Sequence, residues 1–169
     1  MRVKEGMENP LFLYKKMLEK RVQELLNEAL ENRNDLFLIS LSITPDAKIK
    51  IVIDGDNGVK VEDCIYISRA IEHELDRDEE NFSLEVMSAG AQEPLSNIRQ
   101  YKKNIGRTLE IKTEVSNIEG KLVDANEQEI ILQWKTREPK PIGKGKVTVQ
   151  KTENVAYDSI KEAKVVIKF

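Results

Sequence analysis

A short stretch, residues 82–95, constrains the fold more than any other part of the chain. Its first part, Phe-Ser-Leu-Glu-Val-Met-Ser, places Phe, Leu and Val on one side of the backbone, which is typical of a strand with one buried face. The strand is expected to end near Ser88, because Ala-Gly-Ala offers little to pack and Pro94 lacks the N–H that a strand ladder needs. The loop that follows is predicted to join two small domains, residues 1–90 and 91–169.

The two predicted domains differ in charge. Residues 1–90 carry 12 Lys and Arg against 19 Asp and Glu, a net charge of −7. Residues 91–169 carry 15 against 11, a net charge of +4, and together the two values give the −3 of the whole chain. An acidic half followed by a basic half predicts two surfaces with different partners. The modest +4 permits contact with RNA phosphates but does not by itself drive tight non-specific binding.

The composition is that of a charged globular protein with a mainly aliphatic core, since 34% of its residues are charged and 5% are aromatic. No apolar run approaches the ~20 residues of a membrane span, and the first residues lack the apolar segment of a signal peptide. Cys64 is the single cysteine, so no internal disulfide can form. We expect a cytoplasmic, monomeric protein with no membrane association.

The first domain is predicted to be α+β, in the order helix, strand, strand, helix, strand, with both helices on one face of the sheet. Pro10 suits the start of the first helix, and apolar residues then recur three or four positions apart. Strands at 36–43 and 48–54 are expected to form a hairpin through a Pro-Asp turn. The second helix, expected to end at 77–81, has Asp63 on its polar face. Its predicted apolar stripe comprises Val61, Cys64, Ile65, Ser68, Ile71 and Leu75.

The second domain is predicted to be a small all-β barrel. A short helical turn is expected at 98–104, and the strands that follow are short and regularly spaced, with turn residues between them. The predicted strands span residues 107–115, 118–124, 129–134, 146–150 and 163–169.

The acidic loop at residues 54–58, Asp-Gly-Asp-Asn-Gly, does not have the spacing of a calcium site. An EF-hand loop needs glycine at its sixth position and glutamate at its twelfth, where this chain has Val59 and Ile65. The loop is predicted to be a strand-to-helix turn with glycines at positive φ. Alternatively, Asp54 and Asp56 form an exposed contact surface. We expect no metal ion and no cofactor.

Side chains suited to catalysis are few and poorly placed. His73, the only histidine, lies between two glutamates, and Cys64 lies on the apolar stripe of the same helix. Ser88 lies outside any Gly-x-Ser-x-Gly motif. We therefore expect no catalytic residue and no enzyme. The alternative is a metal-dependent hydrolase built on three carboxylates, Asp54, Asp56 and Glu85.

Basic residues form two clusters in the second half of the chain. Both clusters could contact RNA phosphates, whereas Tyr101 and Trp134 are the only nearby aromatic residues for base stacking. Sequence-specific RNA recognition is therefore not expected. The first cluster comprises Arg99, Lys102, Lys103 and Arg107. The second surrounds a loop rich in Pro and Gly and comprises Arg137, Lys140, Lys144, Lys146 and Lys151.

Several short motifs follow one another in the middle of the chain. They are Asp54-x-Asp56-x-Gly58-Val59, Asp63-Cys64, Ser68-Arg69, Leu75-Asp76, Leu84-Glu85-Val86-x-Ser88-x-Gly90 and Pro94-Leu95. In this order and at these spacings, the series resembles the bacterial ribosome maturation factor RimP family. The resemblance is strongest over residues ~50–107 and extends more weakly to both ends, including Ile160, Ala163 and Phe169.

The resemblance implies a fold and a function. The fold is an α+β domain followed by an SH3-like (Sm-like) barrel. The function is that of a non-enzymatic assembly factor for the immature small (30S) ribosomal subunit, with 16S rRNA and a basic ribosomal protein of the decoding face as partners. The charge split suggests that the acidic domain contacts the ribosomal protein and the basic domain contacts rRNA. A generic Sm-like RNA-binding adaptor is a further alternative.

The expected contact residues follow from this assignment. The residues expected to contact the ribosomal protein are Asp54, Asp56, Asp63 and Glu85. The residues expected to contact rRNA are Arg99, Lys102, Lys103, Arg107, Lys140, Lys144 and Lys146.

The chain departs from the family pattern in the loop that joins the domains. Where the family usually has Glu-Val-Ser-Ser-Pro-Gly-Leu-Asp-Arg-Pro-Leu, residues 85–95 are Glu-Val-Met-Ser-Ala-Gly-Ala-Gln-Glu-Pro-Leu. The acidic and basic neighbours of the family pattern are lost, while the glycine and the second proline remain. We therefore expect this loop to join the domains rather than to contact RNA.

Overall fold

A computed structural model describes residues 10–75 and 82–167, and the chain divides into two compact units, Met1–Ala89 and Gly90–Phe169. The second helix, predicted to end at 77–81, ends earlier, at Glu72. The last two residues of the predicted final strand lie outside the described residues. Within the described part of the chain, no helix is both long and apolar enough to cross a membrane.

The first unit contains two helices and a three-stranded sheet, in the predicted order. The sheet order is β1-β2-β3, with β2 antiparallel to β1 and parallel to β3. The parallel pair requires a crossover, which the second helix provides. The mixed α+β architecture is therefore confirmed. The elements are α1 (Pro10–Glu31), β1 (Leu36–Ile43), β2 (Lys48–Gly55), α2 (Val61–Glu72) and β3 (Ser83–Ser88).

The core of the first unit lies between the two helices and one face of the sheet. Alternate residues of the central strand β2, Ile49, Ile51 and Ile53, share a single buried cluster with apolar side chains of α1 and α2. β3 ends at Ser88, as the sequence predicted, and the N–H of Ala89 still donates to the carbonyl of Ile53 at 2.9 Å. The backbone then leaves the sheet.

The predicted apolar stripe of α2 is only partly correct. Ile71 is fully buried, but Val61 is 73% exposed and Ile65 is 42% exposed. Ile67, which the predicted stripe left out, is also fully buried. The helix has apolar residues on more than one face, and packing on α1 and the sheet selects the face that contains Ile67 and Ile71.

The second unit is a five-stranded antiparallel sheet preceded by a short helix. The sheet order is β7-β6-β5-β4-β8. Among the described residues no ladder joins β7 to β8, so the closed barrel stays a prediction. The elements are α3 (Ile98–Lys103), β4 (Thr108–Thr113), β5 (Asn117–Ala125), β6 (Glu129–Pro139), β7 (Lys146–Ala156), a 3-10 helix (Tyr157–Ser159) and β8 (Ile160–Val165).

The strands of the second unit differ in length from the predicted ones. β6 and β7 each have 11 residues and continue well beyond the predicted ends at 134 and 150. The last strand, predicted at 163–169, begins earlier, at Ile160. The core of this unit is aliphatic, with Leu109, Ile111, Leu122 and Ile130 fully buried.

Candidate functional site

The acidic turn after β2 contains one buried and one exposed carboxylate. Asp54 is 5% exposed, and its Oδ1 accepts a hydrogen bond from the backbone N–H of Gly55 at 2.8 Å. Asp56 is exposed, and its backbone N–H donates to the carbonyl of Asp35 at 2.8 Å. The expectation of an exposed surface formed by both aspartates is therefore wrong for Asp54, because the last residues of β2 are buried and its carboxylate turns back onto the backbone.

A close approach between backbone atoms fixes the shape of this turn. A Cβ atom at Gly55 would lie 2.5 Å from the carbonyl oxygen of Gly58. Gly58 itself has a φ of +86°, which favours glycine. The predicted positive φ is therefore found at Gly58, whereas Gly55 is required by the lack of space. The resulting turn presents the side chain of Asp56 to solvent.

Asp63 lies at the start of α2 and is buried, with 8% of the residue exposed. Its Oδ2 accepts a hydrogen bond from the backbone N–H of Lys60 at 2.8 Å, which completes half of a capping box. The other oxygen, Oδ1, lies 2.7 Å from Nη2 of Arg33. The backbone hydrogen bond and then Arg33 lower the pKa of the Asp63 carboxyl. The predicted position of Asp63 on the outer face of the helix is therefore wrong.

Arg33 connects the end of α1 to the start of α2. Its guanidinium donates to both oxygens of Asp35, at 3.1 Å each, in addition to Asp63. It also lies over the ring of Tyr66, 5.7 Å from the ring centre. Two carboxylates, Asp35 first, raise the pKa of Arg33. This partly buried cluster holds α2 in place beside the acidic turn.

Glu85 lies on β3, on the exposed side of the strand, with Lys50 of β2 opposite it in the strand register. Asp56 and Glu85 are therefore the exposed members of the predicted acidic set, whereas Asp54 and Asp63 are buried. In the described parts of the chain, no group of three or more His, Cys, Asp and Glu side chains could hold a metal ion. The three carboxylates of the hydrolase alternative form no such group.

Cys64 and His73 were both predicted to have no catalytic role. Cys64 lies on α2, and His73 follows its last residue. Cys64 is half-buried against the core of the first unit. Burial raises the pKa of the Cys64 thiol, which keeps it protonated and makes it a weak nucleophile at neutral pH. His73 is exposed at the end of α2, in a groove of about 730 Å³ between α1 and α2.

Two tyrosines hold α3 on the sheet of the second unit. Tyr101 of α3 is 5% exposed and meets Tyr157 edge-on, with ring centres 5.1 Å apart. The hydroxyl of Tyr157 donates to the carbonyl of Asn126 at 2.8 Å. Burial, and then the neighbouring tyrosine, raises the pKa of Tyr101 to about 12. The packed tyrosine fixes which side of this short helix faces solvent.

The first predicted basic cluster lies on and after α3. Arg99 and Lys103 are half-buried, whereas Lys102 and Arg107 are exposed. Lys102 pairs with the carboxylate of Glu127. The four residues thus share one short segment of the second unit, as predicted, but they differ in exposure, and Glu127 offsets part of their charge.

The second predicted basic cluster lies on an extended hairpin. β5 pairs with β6 only as far as Gln133, and beyond it β6 pairs with β7 alone among the described residues. The strand pairing continues without a bulge to Pro139 and Lys146. We call residues 134–151 the basic arm. It carries six Lys and Arg and one Glu, a net charge of +5, and none of its residues is buried.

The two faces of the basic arm differ. Residues directly opposite each other in the ladder share a face. One face combines half-buried and apolar side chains with an ion pair of 2.6 Å between Lys151 and Glu138. The other face is fully exposed and has only cationic charges, from Lys135, Arg137 and Lys146. Lys135 was missed from the sequence, although alternation from residue 134 onwards would have placed it beside Arg137.

These observations indicate a binding protein. It has an acidic α+β unit and a basic β-sheet unit, and both carry charged surfaces. The family model for the RimP N-terminal domain matches residues 25–92. The ribosome maturation factor RimP of Christiangramia forsetii is 60% identical over 153 residues, which is 90% of this chain and 100% of the relative. The protein of the same name from Flavobacterium psychrophilum is 53% identical over 151 residues, 89% of this chain and 98% of the relative.

The chain belongs to the ribosome maturation factor RimP family. The family suggested by the sequence motifs is therefore confirmed, and with it a role in ribosome maturation. The family does not favour the metal-dependent hydrolase alternative.

Proposed function

We propose that this chain binds the immature small (30S) ribosomal subunit and assists its assembly by binding alone, without catalysing a reaction. One observation carries the proposal: over nine-tenths of its length the chain is similar to proteins named ribosome maturation factor. Ribosomes consist of RNA, which has a negatively charged backbone, and of mostly basic proteins. The basic unit of this chain can therefore bind the RNA, and the acidic unit can bind a ribosomal protein. On this proposal the chain acts in the cytoplasm as a monomer.

The second unit is proposed to be an SH3-like (Sm-like) barrel, spanning residues 91–169 after an α+β domain of residues 1–90. Two features support it. The first strand, β4, pairs with the last strand, β8, so the two ends of the unit meet in one sheet. A 3-10 helix, Tyr157–Ser159, lies between β7 and β8. Both features are expected of a five-stranded sheet that curls towards closure.

The basic unit is proposed to contact 16S rRNA. The residues that support this contact are the exposed cations of the basic arm and those on and after α3, since phosphate contacts are made largely by Arg and Lys. Lys140, Lys144 and Lys146 are exposed at or beside the end of the arm. Arg107 is exposed after α3, and Lys102, although paired with Glu127, also remains exposed.

The acidic unit is proposed to contact a basic ribosomal protein of the decoding face. The net charge of −7 over residues 1–90 supports this contact. Asp56 and Glu85 are exposed and can meet the partner directly. Asp54 and Asp63 are buried, and on this proposal they act by fixing the acidic turn and the start of α2.

Sedimentation of cell extracts through a sucrose gradient tests the proposed function. We expect the chain to co-migrate with free small subunits and to be absent from translating ribosomes. A chain that stays at the top of the gradient at low salt would contradict the proposal. Co-migration with unrelated RNA and with large subunits alike would favour the generic RNA-binding adaptor instead.

A further inference from the structure

The end of the basic arm combines a hydrogen-bonded turn with an exposed apolar side chain. The turn is closed by a hydrogen bond from the N–H of Lys140 to the carbonyl of Gly145, at 3.1 Å. Gly143 and Gly145 adopt φ values of +90° and +100°. Between these ends, Ile142 follows a proline and is 90% exposed. An isoleucine is unusual at a tight turn, where Gly, Asn, Asp and Ser are favoured.

The arm is long enough to place this isoleucine away from the sheet. Six residue pairs lie beyond Gln133, from Trp134 opposite Lys151 to Pro139 opposite Lys146. At about 3.4 Å per residue, these pairs extend the hairpin by about 20 Å. A two-stranded hairpin of this kind is only marginally stable by itself, so its length is not explained by the stability of the unit.

Charge indicates what the end of the arm meets. Lys140 and Lys144 flank Ile142 in the turn, and both are exposed. One face of the arm adds three exposed cations, and none of the three forms an ion pair with another described residue. With a net charge of +5 over residues 134–151, the arm is complementary to a nucleic-acid backbone and not to a basic protein.

We propose that the basic arm carries Ile142 into rRNA as an apolar wedge at an unpaired or bulged base, while the surrounding cations hold the flanking phosphates. Apolar side chains such as Ile and Pro act in this way in architectural nucleic-acid-binding proteins, where they insert between neighbouring bases. The inference rests on the proposed rRNA contact and adds to it the type of RNA that is recognised.

The physical reason for an unpaired base is the cost of unstacking. Separating two stacked bases in a continuous duplex is unfavourable, whereas a bulged or looped base is already partly unstacked. The groove through which side chains would read duplex RNA is also deep and narrow. An apolar tip therefore gains most where the base faces are already accessible, such as the irregular regions of an rRNA that has not yet folded.

Two RNA probes and four proteins test the wedge. The probes are a continuous RNA duplex and the same duplex with a short bulge that contains 2-aminopurine, whose fluorescence reports unstacking. The proteins are the full chain, Ile142→Ser, Lys144→Gln and the control Val115→Ser. Val115 is a matched control, because it is 94% exposed near the turn between β4 and β5 of the same unit.

We expect Ile142→Ser to weaken binding to the bulged RNA by about tenfold, the effect of ~1.4 kcal/mol, and to abolish the fluorescence change. Binding to the continuous duplex and the salt dependence should stay the same, and Val115→Ser should behave as the unchanged chain. Lys144→Gln should weaken binding to both probes and reduce the salt slope by about one.

The outcomes separate the wedge from the proposed function. If Ile142→Ser binds both probes as tightly as the unchanged chain, while Lys144→Gln binds both more weakly, the wedge proposal is wrong and the rRNA contact stands. If Ile142→Ser lowers the affinity for both probes equally, the wedge proposal is also wrong. If the full chain binds neither probe in a salt-dependent manner, the proposed rRNA contact of the arm fails together with the wedge.

Discussion

The carboxylate of Asp63 is stabilised in its ionised form by the N–H of Lys60 and by the guanidinium of Arg33. Both interactions lower the pKa of Asp63 below that of an unfolded aspartate, about 3.9. The ionised form therefore contributes stability above pH ~4, and this contribution is lost as the pH falls through the folded-state pKa.

Replacing this carboxylate with an amide should remove that pH dependence. We expect Asp63→Asn to lower the free energy of unfolding at pH 7 by about 1 kcal/mol, because the amide loses the negative charge that pairs with Arg33 at a partly exposed site. The difference from the unchanged chain should shrink as the pH falls below ~4. Urea unfolding at several pH values measures this. Glu62→Gln, at the exposed neighbouring position of α2, is the control and should show no comparable convergence.

The turn between β2 and α2 depends on the absence of a side chain at Gly55. A methyl group there would meet the carbonyl oxygen of Gly58 at 2.5 Å. We expect Gly55→Ala to lower the free energy of unfolding by about 1–3 kcal/mol, the usual range for overpacking. Gly143→Ala is the comparison: it adds only the strain of a φ of +90° in open space and should have the smaller effect. Equal losses would contradict the steric explanation.

The buried hydroxyl of Tyr101 should make the second unit sensitive to high pH. Because the pKa of Tyr101 is raised to about 12, its neutral form contributes stability that is complete below pH ~10 and is lost as the pH rises towards the folded-state pKa. We expect Tyr101→Phe to lose less stability than the unchanged chain over this range. In a pH titration followed by tyrosinate absorbance, the tyrosine that ionises at the highest pH should be absent from the variant. Parallel stability curves would contradict the assignment.

Among single residues, the sequence identified the carboxylates near the acidic turn but did not predict which of them are exposed. Asp54 and Asp63 were expected at the surface, because isolated carboxylates usually remain in water. Asp54 is buried because it belongs to the buried last residues of β2, and Asp63 is paired with the distant Arg33. The 30 residues that separate Arg33 from Asp63 put that ion pair beyond the reach of sequence patterns.

At the scale of elements, periodicity predicted the strands and helices that pack against a core and failed where no core is present. The β1–β2 hairpin was predicted from residues 36–54 and is found at nearly the same bounds. In contrast, the outer halves of β6 and β7 have no buried side chain, so no apolar alternation marks them. The face of α2 was misassigned for a related reason: Ile65 and Ile67 are both apolar, and only tertiary packing distinguishes them.

The basic arm should bind RNA mainly through its cationic face. We expect the triple variant Lys135→Gln, Arg137→Gln and Lys146→Gln to reduce the slope of log affinity against log salt by about three, roughly one for each cation removed. Because all three side chains are exposed, the free energy of unfolding should change little. Titration of a short duplex RNA at several salt concentrations measures the slope.

The matched control for the triple variant is Lys151→Gln on the opposite face, where Lys151 is already paired with Glu138. It should change the slope by less than one. A triple variant that binds RNA with an unchanged slope would rule out the cationic face as the contact with phosphates.

At the scale of the whole molecule, charge is divided between two covalently joined units, −7 over residues 1–90 and +4 over residues 91–169. This division was visible in the sequence, as was the order of elements in the first unit. The arm was not, although it concentrates a net charge of +5 in residues 134–151, more than the whole basic half. The remainder of the basic half is thus nearly neutral.

We propose that the chain binds immature small subunits and that the basic arm is an essential contact. The most direct measurement is its affinity for purified immature small subunits, compared with mature small subunits and with large subunits at the same salt concentration. We expect the tightest binding to immature small subunits, and we expect it to be strongly weakened in the triple variant Lys135→Gln, Arg137→Gln and Lys146→Gln. Equal affinity for all three particles, or full affinity in the triple variant, would contradict the proposal.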